Sequence, residues 1–108
     1  MGYDFHVRRG DTKSTWITRD EWLAMVAADP ELTLVPQNGK CFAEWKSTDS
    51  GPDIWFDWCS GNILTKWPSE PTFRKMLQMA RKLKARVEGD DGEVYKSVQA
   101  YRRAMTGS

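Results

Sequence analysis

Three carboxylates crowd one short stretch near the end of the chain, Gly89-Asp90-Asp91-Gly92-Glu93. Hard oxygen ligands at that density suit Mg²⁺ or Ca²⁺. No EF-hand ladder with a terminal bidentate Glu follows them. Gly and Asp also tolerate the left-handed geometry of a tight turn, so a turn is the simpler reading. His6 is the one histidine and hence the conventional general base near neutral pH. It alternates with Asp4 and Arg8 on the polar side of a strand-like run. Ser14, Ser47, Ser50 and Ser60 lie in loops without a nucleophile motif, so a surface imidazole fits better than a catalytic one. Arg74, Lys75, Arg81, Lys82 and Arg86 fall on one side of a helical pattern. That face could meet phosphates, which makes a nucleic-acid accessory role a third possibility.

The tryptophans are the surplus. Six occur in 108 residues, four of them (Trp45, Trp55, Trp58, Trp67) between Cys41 and Trp67. Trp is rarely buried completely and is enriched at binding hot spots. Trp55 shares a strand face with Asp57 and follows Asp53, with Asp49 just upstream. Either Trp55 packs partly under the N-terminal helix, or Asp49, Asp53, Trp55 and Asp57 form an aromatic-plus-acid patch for a protein partner. A basic partner would suit that patch best.

The elements that must position these residues follow from periodicity. Tyr3, Phe5 and Val7 alternate with polar residues, as in a half-buried strand. Arg9-Gly10-Asp11 begins a loop; its match to an integrin-binding tripeptide is too short to carry weight. Thr18 to Glu21 is a capping box opening a helix that closes near Asp29, before Pro30. A short extended run, Leu32 to Val35, ends at Pro36, and Asn38-Gly39 turns into the central meander. There Ile54, Phe56 and Trp58 should face the core, with Trp55, Asp57 and Cys59 opposite. Ser60-Gly61-Asn62 turns the chain into Ile63 to Trp67. Ser69 caps a second helix with an apolar stripe of Phe73, Met76, Leu77, Ala80, Leu83 and Val87. Residues 85–88 and 93–95 suit a closing hairpin, and 96–105 a short terminal helix. The expected fold is α+β: one domain over residues 1–108, an antiparallel sheet of about five strands, two main helices packed on it and a short C-terminal helix.

Composition sets the outer bounds. Hydrophobic content of 40% and charged content of 29% fit a globular domain with one core. Charged residues interrupt the opening segment, and no apolar run approaches the roughly 20 residues of a membrane span. Cytoplasmic residence is therefore expected, with no membrane association. Cys41 and Cys59 are then expected as free thiols behaving as small core residues, and no cofactor or metal site is spelled out. Net charge is +1. The stretch 41–65 is nevertheless acidic and 66–86 basic, an asymmetry that speaks to partner steering. Near-neutral overall charge argues against nucleic acid as the partner.

Several blocks together resemble a family of small, uncharacterised bacterial proteins. They are the opening Tyr3-Asp4-Phe5-His6-Val7-Arg8, the helix start Ile17 to Trp22, the step Asp29 to Leu32, the block Trp55 to Ile63 and the close Gly89 to Tyr95. Such proteins are similar in kind to the immunity proteins of bacterial toxin systems. That resemblance implies a non-enzymatic module that neutralises a cognate toxin domain by occluding a basic active-site surface. The alternatives are a small metal-dependent enzyme using Asp90, Asp91 and Glu93, or the nucleic-acid accessory role of the basic helix face.

Overall fold

Alternating strands and two capped helices assemble as an α+β domain in the computed structural model, which describes residues 4–46, 54–66 and 68–107, with backbone alone for the last two. Strands β1 (Asp4–Arg8), β2 (Leu32–Leu34), β3 (Phe42–Trp45), β4 (Trp55–Cys59), β5 (Asn62–Lys66) and β6 (Arg86–Gly89) form one sheet. Its order is β2-β3-β4-β5-β1-β6. Every pairing is antiparallel. Six strands form where about five were expected. The extended run expected at Leu32 to Val35 becomes the three-residue edge strand β2. No helix among the described residues is long and apolar enough to cross a membrane.

Helices α1 (Arg19–Ala28), α2 (Glu70–Leu83) and α3 (Val98–Gly107) supply the second layer. Phe5, Val7, Ala43, Trp45, Phe56, Ile63 and Val87 from the strands join Trp22, Val26, Phe73, Met76, Met79, Ala80 and Tyr101 from the helices in one core. Rings lock the α2–α3 end. Phe5 stacks on Tyr95 at 5.1 Å and Phe73 on Tyr101 at 4.5 Å. Core-facing indoles find oxygen partners, as buried N–H donors must. Trp22 Nε1 donates to Cys41 O at 2.8 Å and Trp58 Nε1 to Ile17 O at 2.8 Å. The β4–β5 hairpin turns through Ser60 and Gly61, both at positive φ (50° and 87°), the geometry of a two-residue hairpin loop. A Cβ on Gly61 would lie 2.3 Å from the Trp16 ring, so close approach as well as φ requires glycine there.

Two expectations about α2 need correction. The helix stops at Leu83, Lys84 takes the left-handed conformation, and Val87 reaches the core from β6 instead of from a continuing helix. Lys75 does not lie on a solvated face. It is 6% exposed, and its Nζ donates to Asp29 Oδ2 at 2.6 Å and Glu31 Oε1 at 2.9 Å. A long apolar stem lets lysine cross the core edge and deliver its charge to carboxylates on another element. Burial pushes the Asp29 carboxyl up, but Lys75 and the Glu31 N–H outweigh it and leave Asp29 below its ordinary value.

Arg9, from the expected loop, joins the layers. Its guanidinium donates to Glu21 Oε1 and Oε2 at 2.7 and 3.0 Å, to Thr15 O at 3.0 Å, to Trp16 O at 2.7 Å and to Leu83 O at 3.1 Å. One planar fork thus ties the end of β1 to the start of α1 and the end of α2, a geometry lysine cannot reproduce. Glu21 also closes the capping box with Thr18. The Arg9 fork first, and then the Thr18 N–H, hold the Glu21 carboxyl at about 2. Because that value is depressed in the folded state, the stabilisation is complete above about pH 4.5 and is lost as pH falls toward 2. Arg9→Ala should cost about 2–3 kcal/mol in urea denaturation at pH 7, and Arg9→Lys should recover little of it. The gap between the parent and Glu21→Gln should shrink when the same curves are taken at pH 5, 4 and 3. A constant gap would show that the ion pair does not hold the layers.

Candidate functional site

Strand alternation sends every second side chain to the sheet face away from the helices. Pairing register then decides which of them meet. Phe42 lies opposite Asp57, and Glu44 opposite Trp55. Asp57 in turn lies opposite Leu64, and Leu64 opposite His6, which faces Glu88. Phe42, Glu44, Trp55, Asp57 and Leu64 are all half-buried on this face. Across β3 and β4 the result is a two-by-two block, with aromatics on one diagonal and carboxylates on the other. Phe42 and Trp55 stack, ring centroids 5.4 Å apart and planes 21° from parallel.

Asp57 is the electrostatic oddity. Burial beside Phe42 and Leu64 pushes its carboxyl above the ordinary aspartate range, against the pull of the Trp58 N–H. Among the described residues no cation pairs with Asp57 or Glu44. Several carboxylates elsewhere are engaged. Glu21 meets Arg9, Asp29 and Glu31 meet Lys75, and Glu70 meets Arg74 and the fork of Arg102. A half-buried carboxylate without a counter-ion costs stability unless something supplies a partner.

Of the four expected patch residues, the structure brings Trp55 and Asp57 to this face. Asp49 and Asp53 lie outside the described residues, as does Trp67. Packing of Trp55 under the N-terminal helix is overturned, because β4 turns Phe56 and Trp58 toward the core and Trp55 away from it. Phe42, Glu44 and Leu64 belong to the site although nothing singled them out in the sequence. The signal was present in Phe42-Ala43-Glu44-Trp45, whose alternation fixes two faces, but only the register of β3 on β4 sets Phe42 beside Trp55. Of the two cysteines, Cys41 is a buried thiol whose pKa burial raises, as expected of a core residue. Cys59 is exposed, because it ends β4 on the outward side.

The other chemical candidates take structural positions. Gly89 to Gly92 is a tight turn, with Gly92 at φ 87° and its N–H bonded to Gly89 O at 3.0 Å. From that turn Asp90 accepts the Asp4 N–H and meets His6 Nε2, each at 2.8 Å, and these two contacts hold its carboxyl low. The pair ties the start of β1 to the turn after β6. His6 Nδ1 has no hydrogen-bond partner, and no hydroxyl or thiol bonds to the imidazole, among the described residues. Among the described residues no three His, Cys, Asp or Glu side chains are grouped to hold a metal ion. Of the expected basic face of α2, Lys75 is buried in its ion pairs, Arg86 lies instead on β6 beside Glu88, and Arg74, Arg81 and Lys82 are exposed, Arg74 bonding to Glu70.

Comparison with family models, with curated proteins and with solved structures yields no match.

Desolvation as the cause of the raised Asp57 value has a direct check. Phe42→Ala should admit water and lower the Asp57 pKa toward that of an ordinary aspartate in an NMR titration of the carboxyl carbon. A group whose folded pKa is raised favours the fold at low pH and opposes it as pH climbs past that value. Asp57→Asn should therefore raise stability at pH 7 and change it little at pH 3. An unchanged or lowered stability at pH 7 would mean that the carboxylate is already satisfied.

Proposed function

We propose that the protein is a non-enzymatic, cytoplasmic protein-binding module, an immunity protein that neutralises a cognate bacterial toxin domain by covering its active site. The observation that carries this reading is the sheet face away from the described helices, where stacked Phe42 and Trp55 sit among carboxylates that meet no cation among the described residues. Large rigid aromatics supply contact area at little entropic cost and dominate binding energies where they are central. Unpaired acids speed encounter with a basic surface and reject acidic ones. Toxin domains that act on nucleic acids carry such basic surfaces, because their substrates are polyanions. The acidic stretch continues in sequence through Asp49 and Asp53.

The partner should be sought in the gene directly upstream, since an immunity gene ordinarily follows its toxin. Co-expression should then restore growth to cells that the toxin arrests. Asp57→Lys and Trp55→Ala should each weaken the complex by about 30-fold or more in a surface-binding assay, the scale of a hot-spot residue. Paired with Asp53→Lys, the charge reversal should act mainly on the association rate and flatten its salt dependence. Full protection and unaltered affinity in these variants, with their folds intact by circular dichroism, would remove this face from the interaction.

A further inference from the structure

The block formed by Phe42, Trp55, Glu44 and Asp57 has a chemistry of its own. Building on the protein-binding role proposed above, we infer that it is a receptor for an arginine side chain of the protein partner, whose guanidinium lies flat on the Phe42–Trp55 stack and hydrogen bonds to Asp57. The two rings are near parallel with centroids 5.4 Å apart. They contact each other and leave no slot between them, so a cation must lie on the outer surface of the stack. Ring faces attract cations, the indole most strongly. Register sets Asp57 directly beside Phe42 and Glu44 directly beside Trp55. Each ring therefore has a carboxylate as its cross-strand neighbour. A planar guanidinium can stack and donate to a neighbouring carboxylate in one pose, which a compact ammonium cannot.

Desolvation strengthens the choice of arginine. Asp57 is half-buried between Phe42 and Leu64, so its counter-ion must shed water to reach it. The guanidinium is more weakly hydrated than an ammonium and sheds that water more readily. A nucleic acid is repelled by two carboxylates. A second copy of this chain is a poor donor through the same face. Its arginines there, Arg8 and Arg86, are engaged with Asp11 and Glu88.

The experiment needs no partner protein. The intact protein is titrated with N-acetyl-arginine amide, and with its lysine and neutral citrulline counterparts, while the indole N–H resonances are followed by NMR. Trp55 is assigned through Trp55→Phe. Arginine should shift the Trp55 signal with a dissociation constant of about 1–30 mM, the range two exposed contacts provide. Lysine should bind more weakly and citrulline not at all. Asp57→Asn and Phe42→Ala should each weaken the arginine response about tenfold. The Trp22, Trp45 and Trp58 signals, which come from indoles bonded within the fold, should hold still. Equal shifts with arginine and citrulline, or none with arginine, would overturn the assignment. If Asp57→Lys still weakened the protein complex in that case, the docking face would stand and arginine as its occupant would fall.

Discussion

Three helices and a six-stranded sheet impose a simple constraint: the described helices cover one face of the sheet and leave the other to its own side chains. A strand cannot choose which residues it sends to that second face, because alternation is fixed by the backbone. Phe5, Val7, Phe56 and Ile63 must go inward, so His6, Asp57 and Leu64 must go outward. Arg9 keeps the two layers in place, linking strand, first helix and second helix through one fork. The proposed function then turns on what the face away from the described helices does with residues that the core did not take.

The uncovered face is not uniform. At the β1–β6 side, Arg8 meets Asp11, Arg86 meets Glu88, and His6 Nε2 hydrogen bonds to Asp90, while Asp4 Oδ1, His6 Nδ1 and Arg8 Nε keep no partner among the described residues. At the β3–β4 side, aromatic area and carboxylates stand together without such closure. Ion pairs of this kind suit a sheet face to water. An aromatic stack beside a half-buried carboxylate that meets no cation among the described residues does the reverse, because burial opposes its charge. Such local cost is a mark of sites shaped for a second molecule, which is why the β3–β4 side and not the histidine side carries the functional reading.

Much of the architecture was legible in the sequence because it is written in local rules. Thr18 and Glu21 form the capping box that their spacing announced, and Phe56 and Trp58 take the inward face that alternation assigned them. The glycine-bounded acids form the turn. What the sequence withheld depends on register and reach. Phe42 is thirteen positions from Trp55 in the chain, and only strand pairing makes them touch. Lys75 reads as one more cation on a helix, until its stem carries the charge across to Asp29 and Glu31. His6 and Asp90 lie 84 positions apart, so their contact has no local signature. Trp55 and Asp57 were recognisable as a pair on one face, whereas the stack and the carboxylate diagonal that complete the site were not.

Site-specific photo-crosslinking in the native host puts the open face to the test. A photoreactive phenylalanine analogue is placed in turn at Phe42, at Leu64 and, on the helical side, at Gln78. A face built for a partner predicts one dominant adduct of the same protein from positions 42 and 64, lost on adding Asp57→Lys, and none from position 78. Adducts arising from position 78 alone would refute a docking role for this face, and so would no adduct from either open-face position.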